Sequence, residues 1–235
     1  TISNNCGSSS DTVVISLTHM NCGIINDNRD GNTYNTIQIG SQCWMAENLA
    51  YLPSVSPSSQ GSNTTPYYYV YDYQGTDVNA AKATGNYQTY GVLYNWAASM
   101  NGDSSSNSIP SGVKGICPTG WHLPSDDEWK ILEGEVDSQY GYPDPEWDLW
   151  SWNGTDAGGN LKETGITHWK FPNPGATNSS GFTALPAGVR RKDGSFMFLW
   201  IDGHFWSSTD YNNNIVGVRR FLRFDHADVN RYNSD

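Results

Sequence analysis

The sequence predicts a loop-rich α+β fold with two amphipathic helices and several short strands. The 235 residues are only 37% hydrophobic but 13% aromatic, with ten Trp and fourteen Tyr, so a few large rings must build the core. The 24 Gly and 11 Pro, among many Asn and Ser, indicate frequent turns. Both observations favour short elements and long loops over a helical bundle.

The charge excludes some classes of partner. Acidic residues outnumber basic ones by 24 to 13, which gives a formal net charge of −11. A chain this acidic repels phosphate backbones, so we expect no nucleic acid partner. No run of about 18 apolar residues is present, so we also expect no membrane-spanning segment. The acidity itself requires no explanation beyond solubility.

Residues 1–22 read as a strand or linker from a preceding module, or an N-terminal extension. Within them Asp11–Leu17 is a short β-branched run flanked by polar residues. We place a boundary near Asn21–Ile25, which leaves 23–235 as one domain.

A hairpin is predicted around Asp30-Gly31, since Asp-Gly is a strong signal for a turn between two strands. Alternation over 34–39 fits a half-buried strand. The acidic turn invites a calcium interpretation. Counted from Asn26, however, the position of the closing Glu in a calcium loop holds Ile37. We therefore expect no cofactor, with a structural calcium left open at an unassigned site.

Two helices are predicted further along, after a polar loop over 53–66 and a tyrosine-rich strand over Tyr67–Tyr73. The first helix covers 93–100, ends at Asn101-Gly102, and is recognised by an apolar i, i+3, i+4, i+7 stripe. The stripe consists of Leu93, Trp96, Ala97 and Met100.

The second helix, Asp126–Val136, has the stronger signal. Ser125 and Glu128 have the spacing of a capping box, in which each side chain accepts a hydrogen bond from the other residue's backbone N–H. Its core face is formed by Trp129, Leu132 and Val136.

The C-terminal part reads as short strands after an aromatic loop insertion over 137–156. Gly181–Val189 and Gly203–Thr209 surround a turn at Asp193-Gly194. Val216–Phe224 is a clear strand.

That last strand carries the candidate site. Because side chains alternate along a strand, Val216, Val218, Leu222 and Phe224 share the inward face, interrupted by Arg220. Arg219, Phe221, Arg223 and Asp225 share the outward face. Guanidinium groups and rings are enriched at recognition surfaces. The alternative is an ordinary exposed strand with an Arg223–Asp225 salt bridge.

We therefore predict a ligand-binding site on this strand and its flanking loops. The predicted site residues are Trp206, Tyr211, Asn213, Arg219, Phe221, Arg223, Asp225, His226, Asn230 and Tyr232. A rival is a sugar-stacking site of four tryptophans, which could equally fill the core. They are Trp147, Trp150, Trp152 and Trp169.

Four cysteines, Cys6, Cys22, Cys43 and Cys117, show no metal-binding spacing. An even number suggests disulfides and an oxidising compartment. Three pairings are possible, of which we favour Cys6–Cys22 with Cys43–Cys117; free buried cysteines are the alternative.

No motif of an enzyme stands out. The five histidines are scattered and no Gly-x-Ser-x-Gly motif is present. We expect a protein without catalysis.

Six segments, in order, resemble the Fibrobacter succinogenes major paralogous domain family. Among them, Gly120–Trp129 matches a Gly-Trp-His-Leu-Pro-x-x-x-Glu-Trp signature. The segments are Asp30–Tyr34, Ile39–Leu49, Tyr90–Trp96, Cys117–Trp129, Gly181–Gly188 and Trp206–Thr209.

The resemblance implies a C-type-lectin-like fold, with two helices packed on small twisted antiparallel sheets and long loops. It implies a bacterial, extracellular or cell-surface module, part of a larger surface protein, that binds a protein or carbohydrate ligand. The superfamily includes the variable proteins of diversity-generating retroelements, whose Asn- and Tyr-rich tails bind ligands. Diversification of this chain is a hypothesis. A purely structural spacer in the surface protein is another alternative.

The superfamily also includes formylglycine-generating enzymes. Those need reactive cysteines in the C-terminal part, and here the last cysteine is Cys117. Family members continue into a Gly-Phe-Ser-Val-Arg-Cys ending, whereas this sequence stops at Asp235. The resemblance therefore also implies that Cys117 pairs with a cysteine in such an ending.

Overall fold

The computed structural model describes residues 22–211 and 216–233. The predicted strand Asp11–Leu17, Cys6 and Asn213 lie outside them. The strands are β1 Ile24–Asn26, β2 Thr33–Ile39, β3 Gln42–Met45, β4 Tyr68–Tyr69, β5 Leu93–Tyr94, β6 Trp152–Asn153, β7 Val189–Arg190, β8 Phe196–Met197, β9 Asp202–Asp210, β10 Gly217–Arg223 and β11 Val229–Asn233. The helices are α1 Val78–Lys82, α2 Gly85–Tyr90, α3 Trp96–Met100, α4 Asp126–Val136 and α5 Ala157–Leu161, with a 3₁₀ helix at Pro145–Asp148.

The strands form small antiparallel sheets, which confirms the α+β class. One sheet has the order β1-β2-β3 and another the order β6-β11-β10-β9. Two further pairs, β4-β5 and β7-β8, complete the sheets of the described residues. The turn at Asp193-Gly194 joins β7 to β8, whereas Gly203–Thr209 belongs to the larger sheet.

The described residues contain five α-helices rather than two, and four of these have only five or six residues. The helix expected over 93–100 begins at Trp96. Leu93 and Tyr94 instead pair with β4, and the Asn95 side chain accepts a hydrogen bond from the Ala98 N–H as an N-cap. The helix ends at Asn101, which adopts the left-handed conformation with φ 49°.

The capping box of α4 is confirmed. The Ser125 Oγ accepts from the Glu128 N–H at 3.1 Å, and the Glu128 Oε2 accepts from the Ser125 N–H at 2.9 Å. Trp129 and Leu132 are buried in the largest core cluster, and Val136 packs against it. This helix therefore closes one side of the main core, as its sequence predicts.

The hairpin at Asp30-Gly31 is confirmed, with Asn26 opposite Thr33 in the β1–β2 register. Two acidic side chains of the turn accept hydrogen bonds from residues of the same turn. Asp27 accepts from Arg29, and Asp30 accepts from Asn32. Across the described residues, no group of three or more His, Cys, Asp or Glu is placed to hold a metal ion.

The tyrosine strand is shorter than expected, since only Tyr68–Tyr69 pairs. The insertion over 137–156 is mostly loop. Its Trp147 is fully buried in the main core, as is Trp169, which supports the core interpretation for those two rings. Trp150 is exposed and Trp152 is half-buried.

A buried ionic cluster joins α4 to the larger sheet. Arg220 is 1% exposed and donates to Asp126 and Glu133, each at 2.6 Å. Arg231 donates to the same Asp126 at 2.8 Å. Burial alone would raise the pKa of Asp126, but the two guanidinium groups hold it well below its usual value. Each guanidinium of this cluster therefore has a carboxylate partner, and Lys130 adds a third cation 3.4 Å from Asp126.

The favoured disulfide pairing is wrong. Cys22 bonds to Cys43, with Cα atoms 5.6 Å apart, and Cys117 is a free buried thiol. Cys22 precedes β1 and Cys43 lies on β3, so the bond joins two parts of the three-stranded sheet region that are 21 positions apart in sequence. Burial raises the pKa of the Cys117 thiol to about 12.

We expect the Arg220→Leu variant to lose about 3–5 kcal/mol of unfolding free energy, because Glu133 would be left buried without its guanidinium partner and Asp126 would lose one of its two. Urea denaturation at pH 7 measures the loss. Arg191→Leu, at an exposed arginine, is the control and should change stability by less than about 0.5 kcal/mol. Equal effects in the two variants would contradict the role of the cluster.

Replacing Cys22 and Cys43 together by Ser should cost about 3 kcal/mol, because the bond closes a loop of 21 residues in the unfolded chain. Non-reducing peptide mapping of the parent protein should recover Cys22 linked to Cys43. A peptide linking Cys43 to Cys117 would contradict the structure. Cys117 should react with iodoacetamide only after unfolding.

Candidate functional site

The predicted site lies on one face of the larger sheet, which we call the outer face, opposite the side that contacts α4. The register places its side chains in cross-strand rows. One row is Trp206, Arg219 and Tyr232, and the next is His204, Phe221, Asn230 and Trp152. Asp202 and Arg223 form a third.

The structure brings most predicted site residues together on this face. Trp206, Arg219, Phe221, Arg223, Asn230 and Tyr232 belong to its rows. His226 stacks on Trp152, with ring centroids 3.6 Å apart. Tyr211 lies apart from these rows, against Trp150.

The outer face is less open than predicted. Arg223 and Asp225 are accessible and form the salt bridge of the alternative interpretation at 3.1 Å. Arg219 and Phe221 are half-buried among rings. Phe221 contacts Trp152, His204 and Tyr232, with centroid distances of 5.0, 5.2 and 6.5 Å. Neighbouring strands supply this cover, which the sequence of one strand does not reveal.

Arg219 has no carboxylate partner among the described residues. Its guanidinium lies 5.7 Å from the Trp206 ring centroid and 5.5 Å from that of Tyr232. It makes no hydrogen bond or ion pair to any described residue, and its Nε is buried without a partner. Burial lowers the pKa of Arg219 to about 10. Cation–π contacts offset only part of this cost.

Sequence reasoning missed His204. Both of its ring nitrogens are buried without a hydrogen-bond partner, and the nearest carboxylate, Asp202, is 3.8 Å away. Burial lowers the pKa of His204 to about 4, although Asp202 opposes the shift. Its position two residues before Trp206 on the same strand was a signal, because period-two alternation places both side chains on one face.

Unpartnered polar atoms concentrate on the outer face. Seven buried side-chain polar atoms of the described residues lack a hydrogen-bond partner. Five of these belong to Asp202, His204, Arg219 and Asn230. Folded proteins leave few such groups unsatisfied, and each requires an explanation.

A cleft of about 960 Å³ borders this face and is lined by β3 and by the middle of β9. Arg190 and Arg219 both contribute to its wall. Arg190 donates to the carbonyl oxygens of Ser58 and Gln60 and has no carboxylate partner among the described residues. Rings supply much of the remaining wall: Trp44, Tyr69, Tyr94, Trp121, Trp129, Phe182, Phe205 and Trp206.

Lys162 and three of the described histidines form hydrogen bonds within the fold. Lys162 donates to the carbonyl oxygens of Arg223 and His226, at 3.0 and 2.6 Å, and fastens the turn after β10. Burial lowers the pKa of Lys162 to about 8. His122, His168 and His226 each hydrogen-bond a carboxylate, which leaves His204 as the ring without a hydrogen bond among the described histidines.

The profile of a known domain family, described as the Fibrobacter succinogenes major domain, matches residues 37–232. The protein belongs to this family. Its matched region includes the outer face and both strands that line the cleft. No curated protein and no solved structure matches the chain. Within residues 22–211 and 216–233, no helix has the length and hydrophobicity to cross a membrane.

The His204 ring, whose two nitrogens are buried, should make folding sensitive to acid. Its folded pKa of about 4 is below the ordinary 6.5, so only the unfolded chain gains this proton as the pH falls through that window. The resulting loss should reach about 3 kcal/mol near pH 4 and vanish above pH 7. Urea denaturation between pH 4 and 7.5 should show a shallower pH dependence in His204→Phe. Identical slopes in parent and variant would contradict the assignment.

Proposed function

We propose that this protein is a non-catalytic binding module that holds a protein or glycan ligand on its outer face. The concentration of unpartnered polar atoms at Asp202, His204, Arg219 and Asn230 carries the proposal. Leaving such groups unsatisfied costs stability, and a ligand that hydrogen-bonds them recovers it. Half-buried rings beside them add the apolar contact that recognition surfaces use.

The outer face is suited to ligand binding because contacts on the opposite side of the sheet hold its strands in place. Arg220 and Arg231 tie β10 and β11 to α4 through Asp126 and Glu133, and Lys162 holds the turn that follows β10. A rigid face loses little entropy when a ligand docks.

The small antiparallel sheets, short helices and long loops support a C-type-lectin-like architecture for the module. The Cys22–Cys43 bond supports residence in an oxidising compartment, since cytosolic proteins keep their thiols reduced. We propose that the module lies outside the cell, as part of a larger bacterial surface protein.

A glycan array and a pull-down with the isolated protein identify the ligand, and a triple variant then tests the face. Replacing Arg219, Phe221 and Arg223 by Ala should weaken binding at least about a hundredfold, because central arginine and aromatic residues dominate interface energies. The matched control replaces Lys170, Phe171 and Arg191, two exposed cations and an exposed ring, by Ala and should bind as the parent does.

Calorimetric titration measures the affinities, and near-ultraviolet circular dichroism verifies that each variant is folded. Unchanged affinity in the folded triple variant would exclude the outer face as the site. An equal loss in the control variant would exclude it too.

A further inference from the structure

Two strand edges face the same cleft. β9 is the last strand of the larger sheet and β3 is the last strand of the three-stranded sheet, so each has one side without a neighbouring strand. Both contribute to the cleft wall. Exposed edges are sites for pairing with another chain, and proteins usually cover them.

The register shows which groups of β9 face the cleft. The Phe224 N–H donates to the Ile201 carbonyl, so Gly203 and Phe205 pair with β10, and the alternate residues turn their backbone groups away. The outward N–H and C=O groups of Asp202 and of Ser208 are satisfied by loops. The residues between them, His204 and Trp206, line the cleft.

Some backbone groups on the β9 edge have no hydrogen-bond partner among the described residues, although one group is occupied. The Trp129 Nε1–H donates to the Trp206 carbonyl at 3.3 Å. No hydrogen bond from a described residue reaches the N–H and C=O of His204 or the N–H of Trp206. These are the alternating donors and acceptors that an added strand would pair with.

The same reasoning applies to β3. The Ala46 N–H donates to the Asn35 carbonyl at 2.9 Å, so Gln42 and Trp44 pair with β2. Cys43 and Met45 therefore turn their backbone groups toward the cleft, which both residues line.

The charged residues that line the cleft indicate which charge a bound ligand carries. Arg190 and Arg219 line the cleft without a carboxylate partner among the described residues, whereas Arg29, Arg220, Arg223 and Arg231 each have one. The acids of the wall are Glu47 and Glu128, and Glu128 is engaged by His122 and by the capping box. A guanidinium binds a carboxylate through two parallel hydrogen bonds.

We propose that the cleft binds an extended acidic peptide of a partner protein by strand addition to β9, with a carboxylate of the peptide on Arg219. This names the partner class of the proposed binding function and rests on it. Only an extended backbone supplies donors and acceptors in the alternation that the edge requires. The aromatic wall then takes the apolar side chains between the acidic ones, and the volume is at the upper end of that of ordinary ligand pockets.

Three synthetic hexapeptides test the proposal with the full 235-residue chain. The first alternates valine and glutamate, the second replaces glutamate by lysine, and the third keeps the acidic sequence but is N-methylated at alternate residues. We expect binding of the first alone, because lysine reverses the charge and N-methylation removes the strand hydrogen bonds. Equal binding of the second or third peptide would overturn the charge or the strand-addition component, and with it the proposal.

Arg219→Gln should weaken binding of the acidic peptide at least about tenfold, because it removes the cation that the carboxylate contacts. Arg191→Gln, outside the cleft, should leave the affinity unchanged. Equal affinities in the two variants would contradict the role of Arg219.

Amide hydrogen exchange locates the peptide. The His204 and Trp206 amides should exchange rapidly in the free protein and slowly in the complex, whereas the Phe205 amide, already paired with β10, should be protected in both. Protection of His204 and Trp206 in the free chain would mean that a segment outside the described residues covers the edge, and it would overturn the proposal. The two proposals can fail separately. If the outer-face triple variant loses a ligand that the parent binds, but the parent binds none of the peptides, strand addition is rejected and the proposed function remains.

Discussion

The buried contact between Arg220 and the acids of α4 decides how the larger sheet is oriented. A guanidinium that is 1% exposed cannot turn away from Asp126 and Glu133 without leaving charges unpaired in the interior. Because side chains alternate along a strand, fixing Arg220 inward fixes Arg219 and Phe221 outward, and a slip of one residue would reverse both. The identity of the outer face therefore depends on an ion pair on the opposite side of the strand.

The two faces of β10 differ in how their arginines are paired. On the inner side Arg220 contacts Asp126 and Glu133, and Arg231 contacts Asp126, so each guanidinium has a carboxylate partner. On the outer side Arg219 lies between two rings with no acid partner among the described residues. Most of the buried polar atoms that lack a hydrogen-bond partner among the described residues lie on the outer face. Such departures are expected where a ligand completes the contacts.

The outer face and the cleft are parts of one continuous region rather than two separate sites. Arg219, His204 and Trp206 contribute to both, since β9 is the edge strand and its side chains and backbone groups meet there. Loops cover the ends of this edge at Asp202 and Ser208, and Trp129 bonds the Trp206 carbonyl in its middle. The His204 backbone groups and the Trp206 N–H have no hydrogen-bond partner among the described residues. A partner at this place can use side-chain charge, ring surface and backbone hydrogen bonds at once, which favours specific recognition.

The sequence by itself determined the features that depend on near neighbours. The capping box at Ser125 and Glu128, the turn at Asp30-Gly31 and the alternation along β10 each involve residues a few positions apart, so local chemistry suffices to specify them. Only the tertiary structure decided the partner of Cys43, the partners of Arg220 and the isolation of His204. Those depend on contacts between residues distant in sequence: Arg220 reaches acids 87 and 94 positions away. The start of the helix at Trp96 was decided in the same way, because strand pairing with Tyr68 and Tyr69 drew Leu93 and Tyr94 out of a helical pattern that their own sequence fits.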